Sequence, residues 1–280
     1  MVLKKVMEGR IMADISAAQA GTVTFGTLTV NKLGLGTNRI TDTEEAHSLL
    51  KRAVELGINF IDTAHVYAGG DSEVTIGKAL SPYPEGLVIA TKGGYEETSL
   101  QELEEQLHTS LERLKTDHID LYQLHRVNPH IPLTEIMGQL KKFQTEGLIH
   151  NIGLSEVSLD QLKDALQVVA VDSVQNEYNV ANRKHEALVD FCSEQDIAFI
   201  PWFPLGGLRG DTAKVEAKVA DIAAKYDATA QQIALAWLLK RSPMMLPIPG
   251  TLSIEHMEDN LKAAAINLSN EDYDFLTRLD

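Results

Sequence analysis

NFIDTAHVYAGGDSEVTIGKALSPYPEGLVIATK, residues 59–92, reads as strand, helix and strand, with a polar residue wherever an apolar run stops. Asp62 ends NFID, Tyr67 lies just beyond it, and Lys92 ends LVIATK. The next apolar segment repeats the pattern, since IDLYQLH, residues 119–125, delivers His125. In a parallel barrel the loops that follow the strands gather on one face, so residues distant in sequence but each at a strand's C-terminal end converge. A carboxylate, a phenol, an ammonium and an imidazole are thereby expected at one mouth. Each alone has an ordinary structural role, as a strand-end cap or half of an ion pair between neighbouring strands. Together they form an acid–base set, because an ammonium beside a phenol stabilises its anion and makes it a better proton donor.

The alternation continues in both directions. TDTEEAHSLLKRAVELG (41–57) and SLQELEEQLHTSLERLK (99–115) carry helical apolar spacing, as do PLTEIMGQLKKFQTEG (132–147), SLDQLKDALQVV (158–169) and KHEALVDFCSEQ (184–195). Strands are expected in IHNIGLS (149–155), DSVQNEY (172–178), IAFIPWF (197–203) and MMLPIPG (244–250), with the first barrel strand near Leu33 to Gly36. A longer helical region, DTAKVEAKVADIAAKYD (211–227) and TAQQIALAWLLKR (229–241), precedes the last strand, and one final helix starts near Ile254. Thr41 or Asp42, and Ser99, are the expected N-cap oxygens, and Gly57 and Gly147 the helix stops. Leu103, Leu107, Leu111 and Leu114 form one buried stripe. Eight strands alternating with helices predict an α/β protein, a (β/α)8 TIM barrel over residues 21–280. TVTFG (22–26) and LTVNKLGLG (28–36) predict an N-terminal β-hairpin able to plug its lower end. Residues 1–20 read as a mobile leader outside the fold.

The formal net charge of −15 opposes a general nucleic-acid surface, which needs clustered Lys and Arg. No apolar stretch approaches the length of a membrane span, and no compact apolar core of a secretory signal is visible, so a cytoplasmic protein with no membrane partner is expected. Cys192 is the only cysteine, and its neighbours place it on the apolar side of a helix as a buried structural thiol.

DTAHVY, SEVTIGKAL, the Thr-Lys pair ending at Lys92, LYQLH, GLSEVS, VQNEYN, WFPLG and IPGTLSIEHMEDN closely resemble the aldo-keto reductase family, from about Leu33 to Asn260. The resemblance implies a reductase in which Tyr67 donates a proton to a carbonyl oxygen while a nicotinamide delivers hydride. Lys92 and Asp62 would support the phenol, and His125 would orient the carbonyl by a hydrogen bond. Ser155, Glu156 and Gln175 occupy the positions that hold the nicotinamide carboxamide. The family usually has Asn where Glu156 stands, and a carboxylate can accept from the amide NH2 but cannot donate to its carbonyl. Trp202 stands where an aromatic ring stacks on the nicotinamide, with Leu205 and Gly206 passing backbone near the pyrophosphate.

Thr251, Ser253, His256, Asp259 and Asn260 would take the adenosine end, His256 standing where many relatives place an Arg over the 2′-phosphate. NADPH is therefore expected, with NADH possible because imidazole is a weaker anion partner than guanidinium. No metal is implied. The connection PLGGLRGDT is short, so Arg209 is a candidate phosphate contact in place of a covering loop. No extended C-terminal tail is expected after the last helix. Substrate choice would rest on RVNPHIPL after His125 and on Asn38 after the first strand. Bacterial pyridoxal reductase-like members share VQNEYN, which makes pyridoxal a candidate among aldehydes and ketones for an enzyme expected to be monomeric. Two rival readings are a cofactor-binding regulatory subunit resembling potassium-channel β subunits and a lyase or isomerase using Lys92 for a Schiff base. The absence of a long partner-binding extension favours the reductase over the first, and Asp62 beside Lys92 opposes the second by keeping the amine charged.

Overall fold

A computed structural model of the chain describes residues 15–206 and 213–279, with backbone alone for 213–216. Residues 1–14 and Arg209 lie outside the described residues.

The hairpin pairs β1 (Thr22–Phe25) with β2 (Leu28–Asn31) in antiparallel register, Val23 opposite Val30. Seven parallel strands follow in sequential order: β3 (Leu35–Gly36), β4 (Phe60–Asp62), β5 (Val88–Gly93), β6 (Ile119–Leu124), β7 (Ile149–Ser155), β8 (Ser173–Gln175) and β9 (Ala198–Phe199). The eighth strand expected in MMLPIPG closes the ring without becoming a regular strand. Leu246 donates to the Phe199 carbonyl at 2.9 Å on one side, and on the other the Gly34 amide donates to the Pro247 carbonyl at 3.0 Å. Single pairings Phe199 with Met245 and Gly36 with Gly250 complete the contact. Pro247 and Pro249 have no N–H, so the ladder cannot run through this segment. Gly36 permits the closure, because a Cβ there would lie 2.7 Å from the Ile248 carbonyl oxygen.

Helices alternate with the strands: α1 (Glu44–Glu55), α2 (Asp71–Leu80), α3 (Leu100–Leu114), α4 (Leu133–Thr145), α5 (Leu159–Leu166) and α6 (Glu186–Glu194). After β9 come α7 (Ala213–Lys225), α8 (Ala230–Arg241), α9 (Ile254–Leu261) and α10 (Asn270–Thr277). The single final helix expected from Ile254 is thus two. Ser269 starts the second by accepting the Asp272 amide at 3.1 Å. The cap of α1 is Thr43, not Thr41 or Asp42, whose carboxylate instead takes Lys78 and His47. Ser99 caps α3 in a capping box with Glu102. Gly57 and Gly147 follow their helices with φ of 81° and 78°.

Two cores result. The larger lies between sheet and helices and includes the whole Leu103–Leu107–Leu111–Leu114 stripe, each buried Leu contributing about 1.5–3 kcal/mol. The smaller fills the barrel's interior, where Val23, Phe25, Leu28 and Val30 of the hairpin meet Phe60, Val88, Leu121 and Leu246. The hairpin therefore plugs the lower end, and Asn151 fastens it by accepting the Thr27 amide at 2.9 Å. Ala17, within the stretch read as a leader, is fully buried and donates its amide to the Leu56 carbonyl at 2.9 Å, so packing begins before residue 21. Cys192 is buried in α6, and burial pushes its thiol up to about 12. Among the described residues no helix is long and apolar enough to cross a membrane.

Candidate active site

A cavity of about 660 Å3 opens at the C-terminal ends of the strands, walled by Asn38, Tyr67, Tyr95, His125, Ser155 and Trp202 among others. Its floor is a buried polar cluster. Lys92, fully buried, donates to Asp62 Oδ1 at 2.7 Å, to the Thr63 carbonyl at 2.7 Å and to Tyr67 Oη at 3.2 Å. An ammonium has three hydrogens, and these three acceptors use them all. No free amine is left for Schiff-base chemistry. Burial alone would lower the Lys92 pKa, but the Asp62 carboxylate and the Tyr67 hydroxyl outweigh it and hold the ammonium above its ordinary value.

The other Asp62 oxygen accepts from Gln175 Nε2 at 2.8 Å and from Gln123 Nε2 at 3.1 Å, so the carboxylate is satisfied on both sides. Gln123 was not anticipated. Its signal is parity: Leu121 and Gln123 of β6 and His125 just after it alternate, so the face that presents His125 also presents Gln123. Tyr67 sits in the turn after β4, held from outside by Arg113 of α3. That guanidinium donates to the His65 carbonyl at 3.0 Å and to the buried Glu73 at 3.2 Å. Gly70 ends the turn with φ of 104°, and a Cβ there would strike Arg113 at 2.4 Å. Neither Glu73 nor Arg113 was anticipated as support for the site.

His125 packs edge-on to Tyr67, ring centroids 5.7 Å apart, and beside Tyr95 at 4.9 Å. Burial first, then the positive charges of Lys92 and Arg126, push its imidazole down to about 2. It is neutral at physiological pH. Nδ1 is buried without a partner, whereas His125 lines the cavity. With nothing to accept a proton at Nδ1, the tautomer carrying hydrogen on Nε2 is favoured. An unfolded histidine titrates near 6.5, so below that value the unfolded chain takes up a proton that the folded chain refuses. This contribution to stability is present above about pH 6.5 and is lost as pH falls toward 2. In urea unfolding across this range, wild-type protein is expected to lose about 1 kcal/mol more per pH unit than His125→Gln. Parallel slopes for the two proteins would contradict the burial argument.

Along β7 and β8, Ser155 Oγ accepts from Arg126 Nη1 at 3.2 Å and keeps its own hydrogen. Gln175 spends its NH2 on Asp62 and on Gln123 Oε1 at 3.3 Å, leaving its own carbonyl oxygen as the group it can offer. A primary amide needs one donor for its oxygen and one acceptor for its NH2, and this pair supplies both. Trp202 beside them presents an aromatic wall. These groups fit a nicotinamide carboxamide. Glu156 is not among the residues lining the cavity, and its Oε1 accepts from Trp202 Nε1 at 2.6 Å and from the Glu177 amide at 3.0 Å. Its backbone is left-handed at φ 55°, a conformation in which Asn is favoured over Glu. The two bonds offset that strain and fix the indole.

Asn38 and Leu205 also face the cavity, while Gly206 lies against the Phe203 ring. Thr251, Ser253, His256, Asp259 and Asn260 do not line the cavity. They follow in sequence from Gly250, which does line it. Ser253 caps α9 by accepting the His256 amide at 3.3 Å, and Thr251 Oγ1 accepts the Ser253 amide at 3.0 Å. The His256 side chain is exposed, and Asp259 accepts from Lys262 at 2.6 Å.

The model of the aldo/keto reductase family matches residues 25–280. An uncharacterized oxidoreductase of Schizosaccharomyces pombe is 43% identical over 275 residues, covering 92% of this chain and 89% of its own. Pyridoxine 4-dehydrogenase of Escherichia coli is 36% identical over 276 residues, covering 90% of this chain and 96% of its own. The crystal structure of an aldo/keto reductase from Klebsiella pneumoniae in complex with NADP and acetate superposes with a TM-score of 0.83 at 29% identity, covering 92% of this chain and 94% of that one.

Proposed function

The chain belongs to the aldo/keto reductase family of oxidoreductases, and from that premise we propose that it reduces an aldehyde or ketone to an alcohol with NADPH, Tyr67 acting as the general acid. The observation that carries this reading is the saturated Asp62–Lys92 pair directly beneath Tyr67 Oη. Held in the cavity, a dihydronicotinamide would supply hydride to the carbonyl carbon.

The chain's own residues do the rest. Tyr67 O–H donates to the carbonyl oxygen and releases its proton as negative charge develops there. Tyr67 Oη, where the phenolate would be left, lies 3.2 Å from the Lys92 ammonium, whose field would stabilise that charge. Asp62 keeps that ammonium charged and in place. His125, neutral, donates from Nε2 to the same carbonyl oxygen and orients it toward Tyr67. Ser155 and Gln175 would hold the carboxamide, Trp202 would stack on the ring, Leu205 and Gly206 would flank the pyrophosphate, and Thr251 to Asn260 would take the adenosine end.

His256 is the proposed 2′-phosphate contact and Asn38 a wall of the substrate pocket. Pyridoxal is one candidate substrate, supported by the likeness to a pyridoxine 4-dehydrogenase. Nicotinamide absorbance, followed with NADPH or NADH against a panel of aldehydes, ketones and pyridoxal, is expected to fall on addition of an aldehyde, faster with NADPH. No oxidation of either cofactor by any carbonyl would overturn the reading.

A further inference from the structure

We propose that His118, Asp120 and His150 form a binding site for a divalent transition metal, Zn2+ by the chemistry of its donors, at the end of the barrel remote from the cavity. The register of β6 on β7 pairs Ile119 with Ile149 and Leu121 with Asn151, which sets Asp120 beside His150 on one face of the sheet. His118 stands immediately before β6. Its imidazole stacks on that of His150, with ring centroids 4.2 Å apart and planes at 24°. One ligand atom from each of the three residues lies within 4.8 Å of the others.

Two of the three donors are already aimed. His118 Nδ1 lies 2.7 Å from Asp117 Oδ1, so Nδ1 carries the hydrogen in the neutral ring and Nε2 presents its lone pair. A carboxylate behind an imidazole in this way is the arrangement that orients histidines bound to metal. Asp120 spends Oδ2 on the Ile89 amide at 2.9 Å and keeps Oδ1 free. Between His118 Nε2 and Asp120 Oδ1 the distance is 3.8 Å, too long for a hydrogen bond. Tetrahedral Zn2+ with bonds of about 2.0–2.2 Å needs its ligand atoms about 3.4 Å apart, so a small inward movement closes the site. His150 is exposed and free to rotate into place, and water would fill the fourth position.

Two imidazoles and one carboxylate favour Zn2+ over Mg2+ or Ca2+, which take all-oxygen shells. The site's place in the fold, across the starts of two neighbouring strands and away from the cavity, gives it a structural role. It begins two strands whose other ends carry His125 and Ser155, and the seven steps from His118 to His125 span about 23 Å of extended chain. Metal there would tie β6 to β7 at the base of the barrel and stabilise the fold by mass action.

The test is isothermal titration of Zn2+ into the untagged, metal-free full-length protein at neutral pH, with thermal unfolding followed in parallel. One equivalent is expected to bind and to raise the unfolding midpoint, while Mg2+ does neither. His118→Gln and His150→Gln should each weaken Zn2+ binding by more than about tenfold, and Asp117→Asn by about tenfold through the orientation of His118. Each variant should unfold at the metal-free wild-type temperature, since these side chains are partly or fully exposed. Absence of stoichiometric Zn2+ binding, or equal affinity in both histidine variants and wild type, would overturn the proposal. So would an equal rise in midpoint with Mg2+.

Discussion

Tyr67→Phe is expected to lower the rate of carbonyl reduction by about a thousandfold, the usual range for losing a positioned general acid, while NADPH affinity stays within a few-fold. The substitution removes one oxygen and its hydrogen and leaves the ring against His125, so cavity shape and the proposed cofactor contacts at Ser155 and Gln175 persist. Lys92 loses one of three acceptors but keeps Asp62 and the Thr63 carbonyl. Fluorescence titration with NADPH and direct assay of the alcohol product separate the two effects. Reduction at near wild-type rate, or loss of cofactor binding, would remove Tyr67 from the role.

The second large effect concerns the buried ion pair. Lys92→Met leaves the Asp62 carboxylate without its cation at a site only 1% exposed, and stranding a buried charge in this way costs about 3–5 kcal/mol. Removing both charges is different. In Asp62→Asn/Lys92→Met the amides of Gln123 and Gln175 still have an oxygen to donate to, and most of the lost stability is expected to return. Activity should not return, because no ammonium remains beside the phenol. Urea unfolding and product assay on the single and double variants decide the point. A double variant as unstable as Lys92→Met, or one that reduces aldehydes well, would contradict the assignment of roles.

Much of this was legible in sequence because Asp62, Lys92 and His125 stand at the ends of apolar runs, with Tyr67 just beyond the first, where a barrel's geometry brings strand ends together. The parts that were not legible depend on contacts between distant residues. Arg113 reaches back to His65 and Glu73 across tens of residues to hold the Tyr67 turn, and no local pattern marks that pairing. Thr41 and Asp42 were the expected caps of α1, but Thr43 takes that role and Lys78 of α2 claims Asp42. Glu156 faced a choice between the cavity and Trp202 that only the fold decides. Some features were visible but underweighted. Pro247 and Pro249 already deny MMLPIPG a regular ladder, Ser269 already marks a new helix start, and the alternation in LYQLH already places Gln123 beneath His125.

The claim on which the account rests is that Lys92 acts through Tyr67. The most direct measurement is a mutational cycle: Tyr67→Phe introduced into wild-type protein and into the Asp62→Asn/Lys92→Met background, with product formation at saturating NADPH read in all four proteins. Residues that serve one step are not additive. The account predicts that Tyr67→Phe, costly in the wild type, changes the background by only a few-fold. Equal fractional losses in both would show that the lysine and the tyrosine work independently, and would contradict it.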